Sequence, residues 1–481
     1  MTTAAKTMGR DLSLITLNKG VQLLGGMLWA VIVPRWLGPE AYGQFTLAMA
    51  TSLLLWWVAD FGGLEVFGRH IPALQAQDPA RARQLFGQAF LLRLLVAMAL
   101  PFAMLVAGPL IAPWLRGWPA ALVGLAAGLH ILSWSSFHLL YARKEMGKWA
   151  AELSWRLMTQ LPLVLVVGRW GLTAQMAAYT ANELIYLGLA LWWTRHWFSR
   201  EALRPALAFL RPYLRMGGGF WATNIGLIVL FRTGTLLVQI HTGDSAQVSY
   251  FDLALTVFFL IHTIIDQLLR AFLPTISGFQ EEGQGERVGQ WLQVVAQWGA
   301  ALAVIAVIAV QYTADFILPI ILGAAFGDAA AVLRVMLLSL PALALVGVGT
   351  VATAVRQSPR AKLIAIAAGI LSFWLSSVWL VEHYAAMGAA WALTLGLNVY
   401  ALTLFAQVRR DLRVPARALL GLLLLGLPFL TLRGLVAADL LLALAASLLA
   451  ALLYLGAGML LRILSPQPFI KLLPRLFSRA P

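Results

Sequence analysis

Long apolar runs recur along the chain at intervals of about 25–35 residues, parted by short clusters of Gly, Pro and basic residues. The runs are too long and too uniform for barrel strands, which need about 9–11 alternating residues. A membrane-crossing helix needs about 20 apolar residues. The pattern predicts an all-α polytopic membrane protein with fourteen spans. The first seven cover roughly 12–34, 42–66, 87–110, 119–141, 152–168, 172–193 and 217–240. The rest cover roughly 248–273, 289–311, 329–354, 361–381, 386–406, 417–435 and 438–461. The N-terminus carries two basic residues before its apolar stretch and no small-residue cleavage site, so the first helix is expected to be retained.

The distribution of charge orients these spans. With the N-terminus inside, 25 of the 35 Lys and Arg residues fall in loops on that side and only 4 on the other. Lys and Arg concentrate in cytoplasmic loops, so both termini are expected in the cytoplasm. The net charge of +15 is then accounted for by the membrane, and no nucleic-acid partner is implied. Composition agrees: 61% of residues are hydrophobic and 11% charged, against about 45–50% and about 25% in soluble domains. There are no cysteines, which excludes disulfides, thiolate metal sites and a cysteine nucleophile. No Walker loop, GxSxG or HExxH motif is present, so no enzyme and no metal site is expected. The outer loops are too short to form a domain.

A weak internal repeat relates GPEAYGQFTLA at 38–48 to GDSAQVSYFDLA at 243–254. It suggests two similar six-helix bundles, at 1–210 and 211–410, followed by an additional helix pair and cytoplasmic tail at 411–481. A cavity at a pseudo-symmetric interface is a recurring transporter plan.

Charges inside a span cost ~2.5–3.5 kcal/mol each and normally face a cavity or a partner. The in-span cations are Lys19, Arg93, Arg156, Arg232, Arg270 and Arg334; the acids are Asp60, Glu65, Glu183, Asp252 and Asp266. Asn18, Gln22, Gly25 and Trp29 share one face of the first span, with Lys19 at its border, either facing a lumen or snorkelling to the surface. Asn224 and Arg232 share a face of the seventh. Asp252, Thr256, Phe259, Thr263, Asp266 and Arg270 form a polar stripe on the eighth, and Asp266 and Arg270 can pair at i, i+4. Asp60 and Glu65 can pair with Arg69 near the inner surface. Glu183 can carry a proton, or pair with Arg156 or Arg93. His130 and His138 lie eight apart on one span with no third metal ligand evident. The nineteen tryptophans suggest interfacial belts, with Trp155, Trp221 and Trp291 as candidates to stack on sugar rings.

The first helix ends in VPRWLGPEAYGQF and the second span ends in DFGGLEVFGR. Leu37, Gly38, Tyr42, Gly43, Phe45, Asp60, Gly62 and Arg69 resemble the opening of Wzx-type polysaccharide flippases of the multidrug/oligosaccharidyl-lipid/polysaccharide exporter superfamily. Glu65 departs from that family's usual apolar continuation.

The resemblance implies a flippase that moves a polyprenyl-pyrophosphate-linked oligosaccharide across a bacterial inner membrane by alternating access. Membrane lipid would surround it, and other polysaccharide-assembly proteins are candidate partners. Lys19, Arg232 and Arg270 are then expected to attract the pyrophosphate, with Arg93, Arg156 and Arg334 as further candidates and Asn18, Gln22 and Asn224 lining the path. Asp60, Glu183, Asp252 and Asp266 are the candidate coupling acids for a proton or sodium gradient, with no resident cofactor. The rival readings are a multidrug exporter of the same superfamily, a membrane polymerase, ligase or glycosyltransferase for lipid-linked glycans, and a non-transporting scaffold.

Overall fold

The computed structural model describes residues 3–199, 207–270, 285–355, 360–412, 416–431, 439–461 and 463–464. Among the described residues there is no strand. The helices are α1 (Thr3–Leu37), α2 (Pro39–Ala59), α3 (Gly63–Gln77), α4 (Pro79–Ile111), α5 (Trp118–Ala142), α6 (Met146–Val167), α7 (Leu172–Thr194), α8 (Leu207–Thr242) and α9 (Ser245–Arg270). They continue with α10 (Gly285–Leu322), α11 (Ala329–Leu337), α12 (Leu340–Val355), α13 (Arg360–Leu412), α14 (Ala416–Thr431) and α15 (Leu440–Leu460).

The interruptions follow local chemistry. Gly38 at φ 79° precedes Pro39, whose fixed φ suits the first position of α2. Asp78 accepts hydrogen bonds from the Ala80 and Arg81 amides at 3.1 Å and so caps α4. Asp439 caps α15 in the same way, through the Leu441 amide at 2.6 Å. The second expected span is bent: α2 and α3 meet at 40° across a short break. The tenth is bent by 46° between α11 and α12. The eleventh and twelfth are joined within α13, which turns at Ala385 (φ 48°, ψ −126°).

Eight of the described helices are long and apolar enough to cross a membrane, or ten if each bent pair is one span. α6 and α7 are not among the eight. Arg156, Thr159 and Gln160 interrupt α6, and Gln175, Asn182 and Glu183 interrupt α7. Those interruptions are where the polar interior of the bundle is built.

The chain divides into two compact units, Met1–Asp252 and Leu253–Pro481, with the division inside α9. In the first unit α5 is central, packing on α4, α7, α3 and α2, while α1 lies along α6. α8 packs on α2, α3 and α4, which is why it clusters with the helices before it. In the second unit α10 packs on α11, α12, α14 and α15, and α13 covers α11 and α12.

The repeated segments adopt matching turns. Gly38 and Gly243 both take positive φ, 79° and 66°. Each amide bonds back four residues, Gly38 to Pro34 and Gly243 to Gln239, both at 2.8 Å. The two turns also meet. A Cβ on Gly43 would stand 1.7 Å from the Ser245 carbonyl oxygen, so only glycine admits this approach.

Candidate functional site: paired charges inside the first unit

Three of the expected in-span cations are each joined to an expected acid. Arg93 bonds Asp60, Arg156 bonds Glu183, and Arg232 bonds Asp252. Side chains placed by sequence into separate cation and acid groups are therefore partners. A buried ion pair stays folded because each charge compensates the other's lost hydration.

The first pair fastens the break between α2 and α3. Arg93 Nη2 lies 2.9 Å from Asp60 Oδ1 and also donates to the Asp60 carbonyl, while Nη1 donates to Ser135 Oγ at 2.9 Å. Asp60 Oδ2 accepts from the Gly63 amide at 3.1 Å, capping α3. His138 Nδ1 approaches Asp60 Oδ1 at 3.8 Å. The two glycines beside Asp60 have separate tasks. Gly62 is left-handed at φ 71°, and a Cβ there would stand 2.6 Å from the Gly217 carbonyl oxygen of α8. Gly63 leaves the space that the Arg93 guanidinium fills, since its Cβ would lie 1.8 Å from Nη2. The Asp-Phe-Gly-Gly stretch is thus the seat of an arginine. Asp60 does not pair with Arg69, and Glu65 accepts from Asn224 Nδ2 of α8 at 3.1 Å.

The second pair lies midway along three helices, at His130 of α5, Arg156 of α6 and Glu183 of α7. Arg156 Nη1 donates to Glu183 Oε2 and lies 2.6 Å from His130 Nδ1. His130 Nδ1 lies 3.0 Å from the same Oε2. Arg156 Nη2 reaches Ser133 Oγ at 3.3 Å, and its guanidinium stands 4.9 Å over the Tyr186 ring. Thr159 donates to Asn182 Oδ1 at 2.7 Å, tying α6 to α7 beside the triad. Trp56 of α2 stacks on His130 at 4.4 Å between ring centres, and Trp134 lies 5.9 Å from it. Glu183 is fully buried, whereas the side chains of Arg156 and His130 keep 12% and 10% of their surface.

The third pair joins α8 to α9. Arg232 Nη1 lies 3.0 Å from Asp252 Oδ1, with Tyr42 of α2 in electrostatic reach of both. Asp252 is buried and Arg232 is a quarter exposed. Beyond Asp252 the stripe residues Thr256, Phe259, Thr263 and Asp266 are half-buried.

Asn18 and Gln22 of α1 are half-buried. The side chains of Lys19 and Arg270 lie outside the described residues. Arg334 belongs to the second unit, where it pairs with Asp315 at 2.5 Å and its carbonyl accepts from Gln311 at 3.1 Å. Of the expected sugar-stacking tryptophans, Trp221 donates to the Val58 carbonyl at 3.0 Å and stacks on Phe61, and Trp155 is exposed.

Sequence reasoning missed His130, Ser133, Ser135 and His138 as partners of the in-span charges. The signal was the polar spacing along an otherwise apolar α5. It also missed Asp315, because the ninth span was ended before it and α10 in fact continues to Leu322.

Residues 8–280 match the family model described as polysaccharide biosynthesis protein. No curated protein matches the chain by sequence. Among solved structures, the chain is similar to lipid II flippase MurJ in an inward closed conformation, with TM-score 0.76, 12% identity, and coverage of 93% of this chain and 99% of that one. It is similar to a multidrug resistance MATE family transporter of the MOP superfamily in an inward-facing conformation, with TM-score 0.61, 16% identity, and coverage of 84% and 97%. It is also similar to a MOP superfamily transporter from Pyrococcus furiosus, with TM-score 0.55, 14% identity, and coverage of 85% and 95%. The fold is that of the MurJ and MATE transporters.

Proposed function

Since this multi-pass membrane chain belongs to the polysaccharide biosynthesis protein family, we propose that it is a flippase for a polyprenyl-pyrophosphate-linked oligosaccharide. Its membrane is the bacterial inner membrane, crossed fourteen times with both termini in the cytoplasm. It carries its cargo from the cytoplasmic to the outer leaflet for cell-surface polysaccharide assembly. Transport, not bond chemistry, is its activity.

The observation that carries this reading is the set of partly exposed arginines, Arg156 and Arg232, seated against buried carboxylates inside spans. A glycan cannot cross hydrocarbon, and a pyrophosphate cannot shed its water without replacement bonds. Guanidinium groups supply charge-assisted, bidentate bonds of that kind. A carboxylate behind each arginine compensates its charge when no cargo is bound. We also propose Lys19, Arg270 and Arg334 as cargo-binding cations, with Asn18, Gln22 and Asn224 as uncharged cargo-binding side chains. Glu183, Asp252 and Asp266 are the acids that couple transport to a proton or sodium gradient. Asp60 belongs to the same set, although each of its carboxylate oxygens already has a partner in the helix break.

The test is lipid extraction and mass spectrometry on a strain deleted for the gene, with leaflet sidedness measured in spheroplasts. A pyrophosphate-linked oligosaccharide trapped in the cytoplasmic leaflet is the expected result. Accumulation in the outer leaflet would replace this reading with a polymerase or ligase. No accumulation, together with drug hypersensitivity, would replace it with a multidrug exporter.

A further inference from the structure

Arg156, His130 and Glu183 bring more donors and acceptors to one point than a single protonation state can satisfy. The edge from Arg156 Nη1 to His130 Nδ1 is 2.6 Å, and Arg156 Nη1 also bonds Glu183 Oε2. The third edge, from His130 Nδ1 to that same Oε2, is 3.0 Å. A guanidinium only donates, a carboxylate only accepts, and Nδ1 offers one in-plane position that is either lone pair or N–H. With a lone pair there, Nδ1 accepts from Arg156 and faces the carboxylate's own lone pairs. With a proton there, Nδ1 donates to Glu183 and faces the hydrogens of Arg156. The two arrangements differ in which cation holds Glu183.

We propose that His130 takes up the coupling proton, and that protonated His130 and Arg156 compete for Glu183, so that protonation releases Arg156 to the diphosphate of the cargo. This rests on the flippase reading. The proton adds to Nδ1 of an imidazole carrying hydrogen on Nε2, giving an imidazolium. It leaves from the same atom when Arg156 returns to Glu183.

The surroundings suit such an exchange. Glu183 is fully buried, which keeps its charge dependent on a neighbour, while the Arg156 and His130 side chains keep 12% and 10% of their surface. The Tyr186 ring, 4.9 Å from the guanidinium, gives Arg156 a second favourable contact when it leaves the carboxylate. The Trp56 ring, tilted over the imidazole at 4.4 Å, and the Trp134 ring, edge-on at 5.9 Å, give the cationic form aromatic neighbours.

Other ionisable groups also lie near the triad on the packed helices. Tyr179 of α7 and His138 of α5 are within electrostatic reach of the triad. Asp60 of α2 and Arg93 of α4 hold one another. On α3, Glu65 is held by Asn224 and His70 by Met216, and Arg69 is exposed. The described polar side chains of α1, which packs along α6, include the uncharged Asn18 and Gln22.

The experiment is histidine-selective NMR of the full chain in nanodiscs, titrated from about pH 5 to pH 9, the range in which histidines change charge. It is run with and without geranylgeranyl diphosphate as the probe. The His130 resonance is assigned by its loss in His130→Asn. Should that variant not fold, the resonance is assigned by through-space contact with the Trp56 ring. By linkage, a diphosphate that prefers the protonated protein raises the proton affinity of His130. The expected result is an upward shift of the His130 midpoint by about one pH unit, matching about tenfold tighter diphosphate binding at low pH. In Arg156→Gln, His130 should still titrate but the probe should no longer move it. Probe binding that leaves the midpoint in place, moves it down, or finds His130 silent across the range overturns this proposal alone. Absence of any saturable diphosphate binding overturns the flippase reading as well.

Discussion

α5 carries two histidine–serine pairs about two turns apart, and each faces an arginine and a carboxylate from neighbouring helices. Yet the two sites are built to opposite ends. At Asp60 and Arg93 the strong bonds fall on separate atoms: Oδ1 accepts from Arg93 Nη2, Oδ2 from the Gly63 amide, and Nη1 donates to Ser135. Both side chains are nearly sealed, at 3% and 6% exposure, and two glycines clear the space around them. At Arg156, Glu183 and His130 three groups converge on a shared point, and two of the three keep some exposed surface. The same residue types make a fastener where valences are matched one to one. They make a responsive site where two cations share one carboxylate.

Removing a charge separates the two cases. Arg93→Ala leaves Asp60 buried without its partner and unties the α2–α3 break. The expected cost is about 3–5 kcal/mol, enough to abolish recoverable folded protein, measured by detergent-solubilised yield and thermal melting. Glu183→Gln should instead leave yield within about twofold of wild type while lowering glycan export by at least about tenfold, because Arg156 keeps its contacts to Ser133 and Tyr186. If Glu183→Gln melts like Arg93→Ala, both sites are fasteners and the contrast fails.

A smaller effect is expected from Gly63→Ala, which pushes a methyl into the Arg93 guanidinium and should cost about 1–3 kcal/mol. The thermal midpoint should fall while the protein remains recoverable, and an unchanged midpoint would show that the guanidinium has room to move.

The smallest effect lies at the end of α7. Burial and the neighbouring Arg143 hold the His196 imidazole below the usual histidine range, and its Nε2 accepts from Arg143 at 2.8 Å. A histidine whose folded pKa is depressed contributes stability that is complete above the unfolded pKa and is lost as pH falls through the folded one. The thermal midpoint should therefore decline slightly below about pH 6.5, and the decline should be shallower in His196→Asn.

Much of the all-helical fold was written in the long apolar runs, and Gly38-Pro39 and Asp78-Pro79 mark helix boundaries, although Gly108-Pro109 lies inside α4. The expected spans overlap described helices, but among the described residues eight helices, or ten counting each bent pair as one, are long and apolar enough to cross a membrane. The division inside α9 had no signal in local spacing. Packing of α8 against α2, α3 and α4 sets it, and that packing depends on close approaches such as Gly62 to Gly217. The charged residues of the site were legible singly, since a charge in an apolar run stands out. Their pairing was not, because Arg93 meets Asp60 across 33 residues and Arg156 meets Glu183 across 27, with nothing in local spacing to join them. The aromatic and hydroxyl neighbours Trp56, Ser133 and Tyr186 were hidden for the opposite reason, being unremarkable in a membrane helix.

The central claim is that a midplane arginine, held in reserve by a buried carboxylate, carries a lipid-linked diphosphate across the bilayer. The most direct measurement is the leaflet distribution of the lipid-linked glycan in spheroplasts of cells expressing wild type or Arg156→Ala at matched protein level. The account predicts that wild type clears the glycan from the cytoplasmic leaflet and that Arg156→Ala leaves it trapped there. A wild-type distribution in Arg156→Ala would contradict the account.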